Sequence, residues 1–557
     1  MYPHMPRFLG PESHSRSTLR RIFTFEGTRN PKVIIGILLA IIFMLSFGGF
    51  LMEMPAVRLY EDILCHHYYN GLEGEAHIGF DEPIDEEMCK GNAVQNELNF
   101  LFGTLHFISP IPRLLTTIPY GALADRIGRK PVFILAIVGF ILSGLCDILI
   151  VSLWKVLPLR LIWLSPLFTF IGGGEAVAAM IFYAIACDIT TETARANVFL
   201  LGGCGALAST LVAPTVASFL MAVSPMLPLF VGLATMICGA SITFFMPETL
   251  HLRLSATTGQ LAKSLPPEQS DVHRKPKPKF RQSTSFMSLK SNITDFLGRA
   301  YEAIKVISSV RMQVLLVTFI ALPFCNQSVG LSIRYVSNRF SWKLRETMLL
   351  LSMRALVNII ILMALVPLIS KLLTKKFGFT SQEKDLLLVR FSIIMFIIGS
   401  LVIAASPTIG LTIAGMIIWT VGTGFDSFIR SLITALVDKE HIARLYSIIT
   451  VVETLGALVA GPSLNYSYSV GLEKGDGWSG LPFYFLALVC LFASFGVWSY
   501  GWYGSNGSFG RQNFDYEPVP FGEEYLGDLE EVEGLGEDRI MLESVLEREW
   551  DRSHVRI

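Results

Sequence analysis

Between two apolar stretches the chain reads G-A-L-A-D-R-I-G-R-K, Gly121 to Lys130, which sets Asp125 beside Arg126 and Arg129 and brackets them with Gly121 and Gly128. Opposite charges this close can make and exchange ion pairs at a water boundary. A second group of ionisable residues falls inside apolar runs: Glu175, Arg354, Asp426, Arg430 and Glu453. At such depth a charge is costly and by default functional. A carboxylate withdrawn from water holds its proton more readily, which suits it to carry protons. Asp426 and Arg430 are four residues apart and can pair on one helix face; permanent pairing would make them structural, partner exchange would make them mechanistic. Arg113, Asn326, Gln327 and Asn358 can line the same cavity or bond helix to helix.

The elements that must position these groups are membrane spans. The chain has 557 residues, of which 52% are hydrophobic and 16% charged, with a mean hydropathy of +0.52. A bilayer core of roughly 30 Å needs about 20 apolar residues per helix. Twelve such runs are expected, at 33–53, 98–120, 132–153, 159–187, 196–222, 226–246, 312–334, 346–370, 387–406, 410–436, 445–468 and 481–503. They are continuously apolar with Gly and Pro inside, so barrel strands, which alternate, are excluded. In this register Glu175 lies about sixteen residues into the fourth span. The first apolar run follows about 32 polar residues, so no cleavable leader is expected.

Charge fixes the expected orientation. Arg7, Arg16, Arg20, Arg21, Arg29 and Lys32 precede the first span, and Arg126, Arg129 and Lys130 precede the third; both segments should be cytoplasmic. Residues 55–97 carry Arg58 and Lys90 against Glu61, Asp62, Glu73, Glu75, Asp81, Asp85, Glu86 and other acids, and should be an outer loop. An even span count puts both termini in the cytoplasm. Cys65 and Cys89 share the outer loop and can form a disulfide there, free thiols being the alternative. Cys146, Cys187, Cys204 and Cys325 lie in spans and read as packing residues.

A Pro-, Ser- and Lys-rich stretch, 251–310, with R-K-P-K-P-K at 274–279, divides 33–250 from 311–504. It reads as a basic cytoplasmic linker; a nucleic-acid patch is improbable in a polytopic chain, and no nucleic-acid partner is expected. The arm 1–32 and the acidic tail 505–557 complete the organisation. The two halves echo one another, as duplicated bundles do. D-I-T-T-E-T-A-R (Asp188 to Arg195) ends the fourth span and D-K-E-H-I-A-R (Asp438 to Arg444) the tenth; Pro214 and Pro462 follow at similar distances. K-L-L-T-K-K-F-G, Lys371 to Gly378, is the second half's reduced counterpart of the opening motif.

The 121–130 segment resembles the signature loop between the second and third helices of the major facilitator superfamily. That resemblance implies an all-α membrane protein of twelve helices in two pseudo-symmetric six-helix bundles. It also implies a gate at which Asp125, Arg126 and Arg129 contact neighbouring helix ends, with Asp188, Glu192 and Arg195 as partners. Ser209 to Ser218 and Glu453 to Pro462 resemble the family's antiporter motif, whose small residues let backbones approach and whose proline opens a bend; ordinary small-residue packing is the alternative. The arginine that exporters often carry before the fourth helix's glycines is replaced by Phe168, which leaves proton coupling through such an arginine unsupported. R-L-Y-E-D-I-L-C-H-H-Y-Y (Arg58 to Tyr69), M-C-K at 88–90, V-Q-N-E-L at 94–98 and R-Y-V-S-N-R-F-S-W (Arg334 to Trp342) are similar to fungal multidrug and secondary-metabolite exporters.

The expectation is therefore a monomeric secondary transporter in the lipid bilayer that exports a small organic molecule, with protons as the coupling ion. No enzymatic activity, cofactor or metal is expected, because no phosphate-cradling loop, metal-ligand cluster or catalytic triad is present. Uptake symport and a non-transporting receptor or scaffold remain the alternatives. The plasma membrane is expected, and vacuolar or peroxisomal membranes obey the same topology rules. Of the sequons at Asn292, Asn326, Asn465 and Asn506, only Asn465 falls on the outer side and is the candidate for glycosylation.

Overall fold

Helix α1, Pro31–Asn70, is 40 residues long, roughly 60 Å and twice the thickness of a hydrocarbon core. The outer loop expected from Pro55 is therefore helical as far as Asn70. Val57, Tyr60, Ile63 and Leu64 continue an apolar stripe past the proline, and they pack into the core or against it. Pro55 removes one backbone donor without stopping the helix. The computed structural model describes residues 31–249, 310–437 and 442–505, save 73–76, 80, 81, 83, 191 and 476. The expected linker, the N-terminal arm and most of the acidic tail lie outside the described residues. The chain divides into one unit, Met1–Tyr503, and a second, Gly504–Ile557; the architecture below is that of the first.

The second span is broken into α2, Asn92–Ile108, and α3, Pro110–Ile127. Pro110 and Pro112 open α3, and the Ser109 hydroxyl at the join donates to Leu105 O at 2.7 Å. Helix α4, Arg129–Ser152, follows at once. The fourth span is also in two pieces, a 3-10 helix over Leu159–Phe170 and α5 over Gly174–Ile189. Gly172, Gly173 and Gly174 all have positive φ (83°, 83° and 56°), a region closed to most side chains. A Cβ on Gly172 would also stand 2.3 Å from the Leu135 backbone of α4. Helices α6, Glu192–Met221, and α7, Leu227–Ile242, complete the first bundle.

In the second bundle, α8 (Val310–Thr318) and α9 (Ala321–Arg339) make one span. Helices α10 (Leu344–Ile360) and α11 (Val366–Lys375) are joined through a π-turn at Ile361–Leu365. Helix α12, Ser381–Ala405, starts with a capping box in which Thr380 and Glu383 bond reciprocally. The tenth span is α13, Ile409–Val421, a 3-10 turn at Gly422–Gly424, and α14, Phe425–Thr434. Helices α15, Ile442–Lys474, and α16, Leu481–Ser505, close the bundle.

Among the described residues 11 helical segments are long and apolar enough to cross a membrane; α2 and α3 occupy the place of the second span expected from the sequence, which is consistent with twelve crossings. The molecule is all-α, and no strand occurs among the described residues. Large apolar side chains such as Leu115, Ile118, Phe219 and Phe492 are exposed, as a surface solvated by lipid allows.

Two seams join the bundles: α2 runs along α15, and α6 along α10. They contain the two segments whose small residues suggest close helix approach. Ala213 and Ala217 of α6 are fully buried, Thr215 Oγ1 donates to Ser352 Oγ at 2.8 Å and Ser218 Oγ to Arg345 O at 2.7 Å. In α15, a Cβ on Gly461 would lie 2.3 Å from the His106 Cβ of α2.

Candidate functional site

The seam between α2 and α15 is polar where the disulfide-bearing segment covers it. Asn92 Nδ2 donates to Leu472 O at 3.2 Å, Asn96 Nδ2 to Glu473 Oε1 at 3.3 Å and Asn99 Nδ2 to Ser469 Oγ at 3.2 Å. Arg334, on α9, is buried and donates to Asn99 Oδ1 at 2.8 Å and to Asn465 Oδ1 at 2.6 Å. Its guanidinium carbon is 4.5 Å from the centre of the Phe102 ring. The cation is thus held by two neutral amides and a π-face, one from each bundle in the case of the amides.

Cys65 at the far end of α1 and Cys89 in the short turn Met88–Lys90 form a disulfide, which fixes Lys90 in place. Lys90 Nζ contacts Glu61 Oε1 and Glu86 Oε1, each at 3.1 Å, and crosses to the other bundle to donate to Ser337 Oγ at 2.7 Å. Gln95 Nε2 donates to Glu61 Oε1 at 2.7 Å, and Arg58 lies 3.3 Å from Glu61. Asn338 Nδ2 donates to Lys90 O at 2.9 Å, and the Leu344 amide donates to Glu86 at 2.7 Å. The four sequence segments quoted for their likeness to fungal exporters, far apart in the chain, meet here.

Asn465 cannot serve as a glycan acceptor in this arrangement, which corrects the expectation. It is 4% exposed, its Nδ2 donates to Gly461 O and its Oδ1 accepts from Arg334. Sequence position placed it near the outer face, but helix rotation turns it into the seam.

Deeper in, the carboxylates follow the helix breaks. Glu175 lies in the first turn of α5, directly after the three glycines, rather than sixteen residues into an unbroken helix. Asp426 lies in the first turn of α14, after Gly422 and Gly424. In the sequence Gly174 precedes Asp188 by fourteen residues and Gly424 precedes Asp438 by fourteen, so the breaks occupy matching places in the two halves. Glu53 of α1, not singled out by the sequence reading, is close enough to Glu175 for their charges to interact. It stands at the end of the expected first span, where a carboxylate reads as a boundary charge.

On the second bundle's side, Arg430 Nε is 2.5 Å from Asp426 Oδ1, and its Nη2 pairs with Glu453 of α15. Arg430 also lies 5.5 Å from the Phe319 ring centre. Glu453 in turn feels Arg113 of α3, from the other bundle. Asn358 Oδ1 accepts from Thr423 Oγ1 at 2.7 Å, and Gln327 Nε2 donates to Ala457 O at 3.1 Å. The sequence therefore named the charges but not the triad. Arg354 belongs to none of these pairs: its guanidinium sits 4.4 Å over the Trp419 ring.

At the opposite face, the α3–α4 turn is held within the first bundle. Arg129 is buried, with Nη2 3.0 Å from Asp125 and Nε 3.4 Å from Asp188. Glu248, missed by the sequence reading, accepts from the Arg129 amide at 2.9 Å and the Lys130 amide at 3.1 Å, and so caps the start of α4, where exposed N–H groups favour a carboxylate. Its signal was an acid just beyond the sixth span. Gly128 has φ +117° and a Cβ there would lie 2.5 Å from Glu248 Oε2. Gly121 is less constrained, since a Cβ would meet Met180 at an ordinary 3.4 Å. Arg126 is exposed. The side chains of Glu192 and Arg195 lie outside the described residues.

Residues 90–462 match the family described as Major Facilitator Superfamily. Among curated relatives, the chain is 28% identical over 450 residues to the MFS efflux pump atnC of Emericella nidulans, covering 80% of this chain and 83% of that one. It is 26% identical over 444 residues to the efflux pump ustT of Aspergillus flavus, covering 79% and 83%. Among solved structures, a D-xylose–proton symporter superposes with a TM-score of 0.55 at 11% identity, covering 84% of this chain and 98% of that one.

Proposed function

Because this chain belongs to the major facilitator superfamily, we propose that it exports a small organic molecule by alternating access, driven by proton antiport. The observation that carries the alternating-access part of this reading is the closed seam at the disulfide face, where Arg334, Asn99, Asn465 and Lys90 bind one bundle to the other. At the motif face, no hydrogen bond or ion pair among the described residues ties the α3–α4 turn to the second bundle. The basic motif face is taken as cytoplasmic by the positive-inside bias. A conformation closed at the disulfide face is compatible with loading from the cytoplasm, which export requires and which uptake also passes through on release. The export direction is supported by the relatives named efflux pumps.

In this cycle, protons arriving from outside neutralise Glu175, Glu53 or Asp426 and favour the inward-facing state, and substrate loading favours the reverse. Glu53 and Glu175 repel while both are charged, so one proton between them relieves the repulsion. Arg430 can pass between Asp426 and Glu453 as a proton binds one of them. The gate around Asp125, Arg129 and Asp188 rearranges at the cytoplasmic face as the bundles rock. The protein works as a monomer in the plasma membrane, with the 251–310 linker and both termini in the cytoplasm.

The test is retention of candidate metabolites in cells with and without the gene, followed by flux in proteoliposomes under an imposed pH gradient. Export that collapses with the gradient supports antiport. Accumulation of labelled compound on the cytoplasmic side, driven by the same gradient, would instead select uptake symport.

A further inference from the structure

We propose that Arg113 of α3 takes Glu453 of α15 from Arg430 when the bundles rock, and that the new ion pair closes the motif-face half of the seam between these two helices. This goes beyond the export reading and rests on its alternating-access part.

The second and eleventh spans pack in one antiparallel register. Asn96 meets Glu473 and Asn99 meets Ser469; one turn on, a Cβ on Gly103 would lie 3.5 Å from the Asn465 Cβ, and after a further turn His106 faces Gly461. Each step along α2 is thus answered by a similar step back along α15, about one turn at a time. Past the break at Ser109, α3 continues beside α15. In this register Arg113, seven residues after His106, falls opposite Glu453, eight residues before Gly461, each about two turns away. The two charges are opposite and act on one another.

They are not bonded in this conformation. Arg113 is exposed and its side chain makes no hydrogen bond or ion pair among the described residues, whereas Arg430 serves two carboxylates, Asp426 and Glu453. One cation is shared by two acids while a second stands idle across the seam. Moving Glu453 to Arg113 leaves Arg430 with Asp426 and makes two complete pairs. The exchange strands no charge, and stranding one away from water is strongly destabilising. The new pair needs α3 and α15 to approach at the motif face, so it belongs to the state open at the disulfide face and holds that state shut toward the cytoplasm. Arg113 is therefore a positioning residue, which acts through Glu453 on which face is open.

The experiment uses the full-length protein in sealed vesicles, with Ser469→Cys as reporter and a membrane-impermeant maleimide applied from the disulfide face; labelling of the chain without the reporter is subtracted. Arg113→Gln should slow labelling by about threefold or more, because the state open at that face loses its latch. Arg113→Lys, which keeps the charge, should label at the rate set by Arg113 itself. In a Glu453→Gln background, adding Arg113→Gln should leave the rate where Glu453→Gln alone puts it. An unchanged rate in Arg113→Gln, equal slowing by Arg113→Lys, or the same slowing with and without Glu453 would overturn the proposal. If Glu453→Gln fails to fold, Arg113→Glu decides: facing Glu453 it should label more slowly than Arg113→Gln, and a rate no slower would overturn the pair. Proton-driven efflux with labelling indifferent to Arg113 sinks the latch alone; slowing that depends on Glu453, together with accumulation of solute on the cytoplasmic side, sinks the export reading alone.

Discussion

Arg334 of the second bundle donates to Asn99 of the first at 2.8 Å, in a seam where it has no carboxylate partner among the described residues. A neutral acceptor matters for a contact that must break in every cycle. A buried ion pair, once separated, leaves an uncompensated charge costing about 3–5 kcal/mol, whereas a hydrogen bond to a charged group contributes only about 1.5–3 kcal/mol.

Replacing Asn99 by Leu should therefore weaken the seam by about 1.5–3 kcal/mol and shift the population toward the state open at the disulfide face. A cysteine placed at Ser469, which accepts from Asn99, should then react faster with a membrane-impermeant maleimide. Unchanged reactivity would mean that the seam does not gate.

Glu53 and Glu175 should carry the proton dependence. Double substitution by Gln should cut pH-driven counterflow in liposomes by about tenfold or more, a change of about 1.4 kcal/mol or more in the barrier, and flatten its pH profile, while downhill exchange at symmetric pH persists. Undiminished proton dependence in the double variant would move the role to Asp426 or Glu453.

At the motif turn, Gly128→Ala should destabilise the protein by about 1–3 kcal/mol through backbone strain, in addition to its contact with Glu248. Glu248→Gln should cost less, since it keeps one acceptor oxygen for the α4 amides. Thermal unfolding of the purified variants ranks the two, and the opposite order would show that the cap outweighs the conformational strain.

Reducing the Cys65–Cys89 bond, whose partners are 24 residues apart, should lower stability by about 2–4 kcal/mol and free the turn that carries Lys90. Cys65→Ser with Cys89→Ser should show a lower Tm that reductant no longer changes. A wild-type Tm insensitive to reductant would show that the ion pairs of Lys90 suffice to hold the turn.

The membrane architecture was legible in the sequence because a lipid solvent imposes one strong rule, that every backbone donor be bonded within its own helix. Span length, apolar content and the charges left inside follow from that rule directly. Glu175, Asp426, Arg430 and Glu453 were found this way, whereas the family was read from the likeness of the Gly121 to Lys130 segment to its signature loop. Tertiary structure decided which of these charges meet, since that depends on helix rotation and on breaks at Gly172–Gly174 and Gly422–Gly424, for which hydropathy has no term. The same rotation buried Asn465 in a seam, put Glu53 within electrostatic reach of Glu175, left Arg354 without a counter-ion among the described residues and joined Lys90 to Ser337 across 247 residues of chain.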